Sequence, residues 1–189
     1  MKLTPIAQWS WGYDAKGRLT VNLGQVTEHG IQKLMLITKF HYNDLLRSPD
    51  DCELFCLEDA EYLAAFQDGL RAIRMSSGVC LDLGLNAVAC ARFVRQNGDV
   101  SAHFRSYPQR FYPERGDVVT LCTEENQMMD CILLNELDDD DLANLMMVNE
   151  GFTTSRGRRF KLCDMVRVRP EMICPFRVLC QPPTRPRYA

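Results

Sequence analysis

The sequence has no apolar run long enough to cross a bilayer. Its apolar stretches, such as Cys131–Leu134 and Leu145–Val148, fall far short of the roughly 18 residues that a membrane-spanning helix needs. Thr4, Pro5 and Gln8 interrupt the first residues, so the apolar core of a secretory signal is missing there. We therefore expect a cytoplasmic protein without membrane contact.

Short motifs typical of catalytic sites are also missing. Neither G-x-G-x-x-G nor G-x-x-x-x-G-K-[ST], the glycine-rich loops that bind phosphate, occurs in the sequence. No serine lies in a G-x-S-x-G turn, in which a nucleophile stands exposed beside a base. These absences favour a protein that binds over one that catalyses, and the sequence predicts neither a cofactor nor an enzyme activity.

Metal-ligand spacing is lacking as well. The nine cysteines include no C-x-x-C pair, and most lie in apolar stretches, where a thiol behaves as a small hydrophobic side chain. His29, His41 and His103 fall in different segments, so we expect no zinc site. The run Asp138–Asp141 lacks the alternation and glycine of a calcium loop and predicts a solvated turn.

The first half of the chain has the pattern of a β-sheet followed by two helices. Residues 9–13 and 19–23 alternate around the turn residues Asp14–Gly17, which predicts a β-hairpin. Leu34–Thr38 predicts a third strand. Two helical stripes follow, and we expect both to cover one face of the hairpin sheet. The stripes are Leu63, Phe66, Leu70 and Ile73, then Leu81, Leu85, Val88 and Ala91 in a helix that ends at Gly98.

Beyond the segment 108–116, short strand-like runs replace the helical period. The predicted strands are Val118–Cys122, Met128–Leu134, Leu142–Val148, Arg159–Leu162 and Val166–Val168. Such a series is typical of a small barrel or rolled sheet. The predicted organisation is therefore α+β. An N-terminal α/β domain, a β-hairpin sheet covered by two helices, takes residues 1–112; a small twisted β-barrel-like domain takes residues 113–180; and residues 181–189 form a mobile tail.

Charge is distributed unevenly along the chain, whose net charge is −3. Residues 142–189 contain nine lysines and arginines against three acids. Among them, Arg156, Arg158, Arg159 and Lys161 form either a solvated hairpin tip or a surface that steers an acidic partner. Nucleic acid is a poorer fit, because the protein as a whole is acidic.

Several segments resemble, in order and spacing, the ZapC family of Z-ring-associated cell-division proteins. The likeness begins with Trp9-x-Trp11-x-Tyr13-Asp14 and the strand Leu19-x-Val21-x-Leu23. It continues over nearly the whole chain: the helix from Leu85 to Phe93, the His103-Phe104 strand, Gly116-Asp117, and a closing stretch with Gly157, Asp164 and Pro175.

The resemblance implies a monomeric cytoplasmic adaptor at the mid-cell division ring. Its partner would be FtsZ, the tubulin-like GTPase of that ring. Proteins of this family promote lateral association of FtsZ polymers, stabilise the ring and lower FtsZ GTPase activity, without a cofactor. The resemblance also implies an apolar pocket in the N-terminal domain.

Two sets of partner-binding residues are predicted from this likeness and from the charge pattern. The apolar set is Leu19, Val21 and Leu23 of one strand with Trp9 and Trp11. Because alternating apolar residues are usual in any half-buried strand, a plain core role is the competing interpretation. The basic set is Arg95, just after the second helix, with Arg156, Arg158 and Arg159.

Two other hypotheses stay open at this point. The first is a small barrel module that binds a soluble ligand or nucleotide in its pocket. The second is an enzyme whose nucleophile is a thiol, such as Cys80 or Cys90, which would require a populated thiolate.

Overall fold

An antiparallel three-stranded sheet begins the fold, with β1 (Ser10–Tyr13), β2 (Arg18–Thr27) and β3 (Gly30–His41) in that order. The computed structural model describes residues 9–27, 30–50, 53–96, 98–137, 142–151, 153–154 and 157–177. The predicted hairpin and third strand are confirmed, and β2 and β3 extend further than the alternation indicated.

The turn between β1 and β2 forms for local reasons. The Asp14 carboxylate accepts hydrogen bonds from the backbone N–H groups of Lys16 and Arg18, at 2.8 and 2.9 Å. Gly17 has a φ of +77°, and a Cβ there would lie 2.7 Å from the Tyr42 ring. Aspartate and glycine at these positions satisfy the turn's donors and its left-handed backbone.

Two helices, α1 (Leu57–Leu70) and α2 (Ser77–Arg92), follow the sheet. Asp59 caps the start of α1 by accepting from the N–H of Cys56, and the Ser76 hydroxyl caps α2. Leu63, Phe66 and Leu70 of the first predicted stripe are buried. The helices thus begin where side-chain oxygens satisfy their free N–H groups.

The second stripe is only partly correct. Helix α2 ends at Arg92 rather than Gly98, and Leu81 and Ala91 of the stripe are not fully buried. Burial runs instead through all residues from Leu83 to Cys90. In a helix that is buried on all sides, the buried residues do not form a single stripe, because the polar positions are buried as well.

A five-stranded antiparallel sheet makes up the rest of the fold, in the order β7-β6-β5-β4-β8. Four predicted strands are confirmed, and a fifth, β8, was not predicted. Their bounds are β4 (Val118–Cys122), β5 (Met128–Leu133), β6 (Ala143–Met147), β7 (Met165–Val168) and β8 (Ile173–Pro175).

Two predicted strands are wrong. Arg159–Leu162 is a bridge and a turn, because Cys163 has a φ of +67° and the Asp164 carboxylate accepts from the Lys161 N–H. The His103-Phe104 strand is a short 3-10 turn, Ser101–His103, with an isolated bridge at Phe104.

The barrel is not closed in the part of the chain that the structure describes. Strands β7 and β8 end the sheet on opposite sides. Residues 99–107 contact β7 and the end of β4 through isolated hydrogen bonds. The Val100 N–H donates to Arg167 O at 2.8 Å, and the Arg105 N–H donates to Cys122 O at 2.8 Å. The α+β class is confirmed, and among the described residues the second sheet is open, with β7 and β8 at its two edges.

One apolar cluster joins the two sheets. It contains Leu63 and Phe66 of α1 together with Ile132, Met146 and other residues of the second sheet. Helix α1 lies against the start of β4 so closely that a Cβ on Gly69 would fall 1.8 Å from Gly116 O. The predicted boundary near residue 112 remains a prediction, and the predicted tail, residues 181–189, lies outside the described residues.

Candidate partner-binding site

The predicted apolar set forms part of the core. Trp9, Trp11, Leu19, Val21 and Leu23 are each between 0% and 1% exposed. The Trp11 ring stacks on Phe55 at 5.6 Å between centroids and meets Phe93 edge-on at 5.0 Å. In this conformation none of the five offers surface to a partner, so their binding role stays a prediction.

A buried charge network holds Trp11 and both helices in place. Asp59, fully buried, accepts from Trp11 Nε1 at 3.1 Å and pairs with Arg92. Arg92 also contacts Glu53 Oε1 at 3.0 Å. The hydrogen bond from Arg47 lowers the pKa of Glu53 below its ordinary value. Because these charged groups are paired with one another, we interpret them as stabilising the fold and not as binding a partner.

Three of the four residues of the predicted basic set line a cleft of about 560 Å³ between the two halves of the fold. Arg95, Arg158 and Arg159 line it together with two lysines that the sequence did not single out, Lys39 and Lys161. We call these five residues and the space between them the basic cleft. Arg156, also predicted, lies outside the described residues.

Different elements bring these cations together. Lys39 and Phe40 lie within a register shift between β2 and β3, where β3 holds extra residues opposite Leu19. Such bulges redirect side chains. Arg95 follows α2, and its N–H donates to Asp44 O at 2.9 Å. On the other wall, the Arg158 guanidinium lies 5.2 Å from the Phe160 ring centroid.

The cations of the basic cleft are not neutralised by its acids. Among the described residues, none of the five forms a salt bridge with a carboxylate. The two acids that line the cleft, Asp44 and Asp164, each accept from a backbone N–H, of His41 at 2.8 Å and of Lys161 at 2.9 Å. The cleft therefore presents a net positive charge on an acidic protein and attracts anionic groups.

A second cleft, of about 550 Å³, lies between α1 and the start of β4. The cation in its lining, Arg115, pairs with Glu136 at 3.2 Å and stacks on Tyr62 at 4.4 Å. Because Arg115 already has these partners, the basic cleft is the better candidate for a docking surface.

Burial argues against Cys90, one of the two thiols named in the cysteine-nucleophile hypothesis. Burial raises the pKa of Cys163, at the edge of the basic cleft, to about 12. Burial also raises the pKa of Cys90 well above its ordinary value. Thiols of this kind stay protonated at neutral pH and react slowly.

The described residues contain neither a cluster of metal ligands nor a helix suited to a membrane. No group of three or more histidine, cysteine, aspartate or glutamate side chains is placed to hold a metal ion there. No helix among these residues has the length and apolar character to cross a membrane.

Fold and cleft together define the class: a mixed α+β protein whose prominent surface feature is a positively charged cleft. Residues 2–95 match the family model described as Cell-division protein ZapC, N-terminal. Proteins named Cell division protein ZapC are similar over most of the chain. The one from Xenorhabdus bovienii is 25% identical over 182 residues, covering 93% of each chain. The one from Vibrio vulnificus is 28% identical over 170 residues, covering 88% of each.

The protein from Pseudoalteromonas atlantica that carries the same name is 23% identical over 189 residues, covering 92% of this chain and 93% of its own. The chain belongs to the ZapC family of cell-division proteins. That family is named for its part in division and not for an enzyme activity.

Proposed function

We propose that this protein is a non-enzymatic adaptor that binds FtsZ at the mid-cell division ring. It promotes lateral association of FtsZ polymers, stabilises the ring and lowers FtsZ GTPase activity. The observation that carries the proposal is family membership, since ZapC proteins align with about nine-tenths of the chain, for example 93% of it.

The structure supports a contact through the basic set rather than the apolar set. Arg95, Arg158 and Arg159 are exposed, whereas Leu19, Val21 and Leu23 are buried. Unpaired cations at a surface accelerate encounter with an acidic partner and disfavour basic ones. We therefore assign FtsZ binding to the basic cleft.

Co-sedimentation with GTP-assembled FtsZ tests the proposal. We expect the protein to pellet with the polymers, to increase light scattering as filaments associate, and to reduce phosphate release. A tubulin-like polymer other than FtsZ is the control for protein that is trapped in the pellet without specific binding. The proposed function is refuted if, at micromolar concentration, the protein does not pellet with FtsZ polymers and the rate of GTP hydrolysis by FtsZ is unchanged.

A second candidate function is binding of a soluble anionic ligand or nucleotide. The volume of the basic cleft, about 560 Å³, lies within the range of roughly 300–1,000 Å³ that is usual for small-molecule sites. A thermal shift with a panel of nucleotides separates the candidates. A rise in Tm with a nucleotide, and none with FtsZ, favours the ligand.

A further inference from the structure

We propose that the partner segment is an extended acidic peptide that adds as a strand to the outer edge of β3 and places its carboxylates in the basic cleft. The identity of the partner protein rests on the proposed function. The mode of binding does not, and it is tested separately below.

The outer edge of β3 is open to another strand. Strand β3 ends the first sheet, with β2 on its inner side. Among the described residues, no backbone group of another segment pairs with its outer edge. Within the described part of the chain, one side chain caps this edge: Asn86 Oδ1 accepts from the Lys39 N–H at 2.8 Å. The stretch of β3 before Lys39 therefore keeps backbone donors and acceptors that a partner strand can use.

Side chains on this stretch do not protect the edge. Leu34 and Met35 are each 48% exposed. As neighbours in a strand they point to opposite faces, so apolar surface flanks the edge on both sides. Edge strands are usually blocked by charges, prolines or bulges. Here the bulge comes only at the end of β3, where the strand enters the cleft.

The edge and the basic cleft are continuous. Lys39 and Phe40 of β3 are themselves part of the cleft lining. An added strand that runs along Leu34 to Thr38 thus reaches Arg95, Lys161 and the other cations at its end. About six residues suffice, because a strand advances roughly 3.3 Å per residue.

Charge selects the occupant. Five cations without ion-pair partners among the described residues favour carboxylates, and guanidinium groups bind carboxylates in a paired geometry. A basic segment would meet like charge along the whole cleft. Backbone pairing supplies affinity without a fixed sequence, while the cleft supplies specificity.

A peptide binding assay tests the mode directly. The probe is a fluorescein-labelled peptide of about ten residues that alternates glutamate and valine. Its matched control has the same side chains but carries N-methyl groups on alternate backbone nitrogens, which removes strand pairing. Because two or more hydrogen bonds are lost, we expect affinity to fall about tenfold or more. Equal affinity of the two peptides would overturn the proposal.

The cleft is tested with R95E/R158E/R159E. Its control, R71E/R74E/R110E, has the same change of charge at exposed positions outside the cleft lining. We expect the cleft variant to lose binding of the glutamate-valine peptide, and the control to keep it. Equal loss in both variants would mean that net charge alone binds the peptide and would overturn the site.

Hydrogen exchange tests the same binding mode on the wild-type protein, so the result does not depend on whether a variant folds. On addition of the glutamate-valine peptide, amides of residues 34–38 should exchange more slowly, with α2 unchanged. No protection there at saturating peptide would overturn the proposal. Protection by inorganic polyphosphate, but not by the peptide, would identify a plain anion site and overturn it too.

The failure of this inference and of the proposed function are distinguishable. If wild type pellets with FtsZ and the cleft variant pellets equally, the function stands and the docking mode is wrong. If wild type binds the peptide as expected but never pellets with FtsZ, the mode stands and FtsZ is the wrong partner.

Discussion

Replacing Asp59 by alanine should destabilise the fold more than any exposed carboxylate does. The Asp59 side chain is fully buried. It accepts from Trp11 Nε1 at 3.1 Å and from the Cys56 N–H at 3.0 Å, and it pairs with Arg92. The substitution leaves all three donors without this acceptor.

The magnitude follows from the two largest losses. An unpaired buried N–H on Trp11 costs about 1–3 kcal/mol. Breaking a buried ion pair by removing one partner costs about 3–5 kcal/mol. Arg92 keeps its contact with Glu53 and remains 16% exposed, so water relieves part of this penalty. We expect the free energy of unfolding to fall by about 3 kcal/mol.

Urea unfolding followed by tryptophan fluorescence measures the effect, and an unchanged slope with urea validates the comparison. The control is Asp68→Ala in the same helix. Asp68 pairs with Arg71 at 2.6 Å, but its side chain is 67% exposed, so we expect a change of less than about 0.5 kcal/mol. If Asp59→Ala costs no more than this control, the network does not hold the fold as argued.

Three further predictions concern stability. In urea unfolding, Gly69→Ala should lower the free energy of unfolding by about 1–3 kcal/mol or more, because the added Cβ would overlap Gly116 O. Gly78→Ala is the control: its Cβ would have nothing within 4 Å, so the change should be neutral or stabilising. The pKa of Glu53 is lower in the folded protein than in the unfolded chain. The stability that the Glu53 carboxylate contributes is therefore lost as the pH falls through that lowered pKa. In a plot of Tm against pH, Glu53→Gln should show a smaller fall in Tm at acid pH than wild type. The pKa of Cys163 is raised to about 12, so its stabilisation declines above the ordinary thiol range; Cys163→Ala should weaken that alkaline decline, and an identical slope would contradict it.

Locally determined elements could be predicted from the sequence. The turn at Asp14–Gly17 follows from one carboxylate and one positive φ, both properties of residue type. The stripe of α1 was visible because only one face of that helix is buried. Strand β8 was missed because it has three residues and includes Pro175, a length at which alternation cannot be recognised.

The candidate site was predictable only in part, because distant segments form it. Arg158 and Arg159 stood out as a sequence cluster, but Lys39 looks like any exposed strand lysine. Its place in the cleft depends on the bulge opposite Leu19, which has no marker in the sequence. The apolar set shows the reverse case: alternation identified Leu19, Val21 and Leu23 correctly as one face of a strand, and that face is the core.

Because the basic cleft takes its walls from both halves of the fold, packing between the halves should also control binding. Lys39 and Arg95 belong to the first half, and Arg158 to Lys161 belong to the second. One apolar cluster joins the halves, and Gly69 of α1 lies so close to Gly116 that a Cβ on Gly69 would fall 1.8 Å from Gly116 O. A shift there moves cations on one wall relative to the other without altering any of them. Conditions that loosen the junction should therefore reduce partner affinity before they unfold the protein.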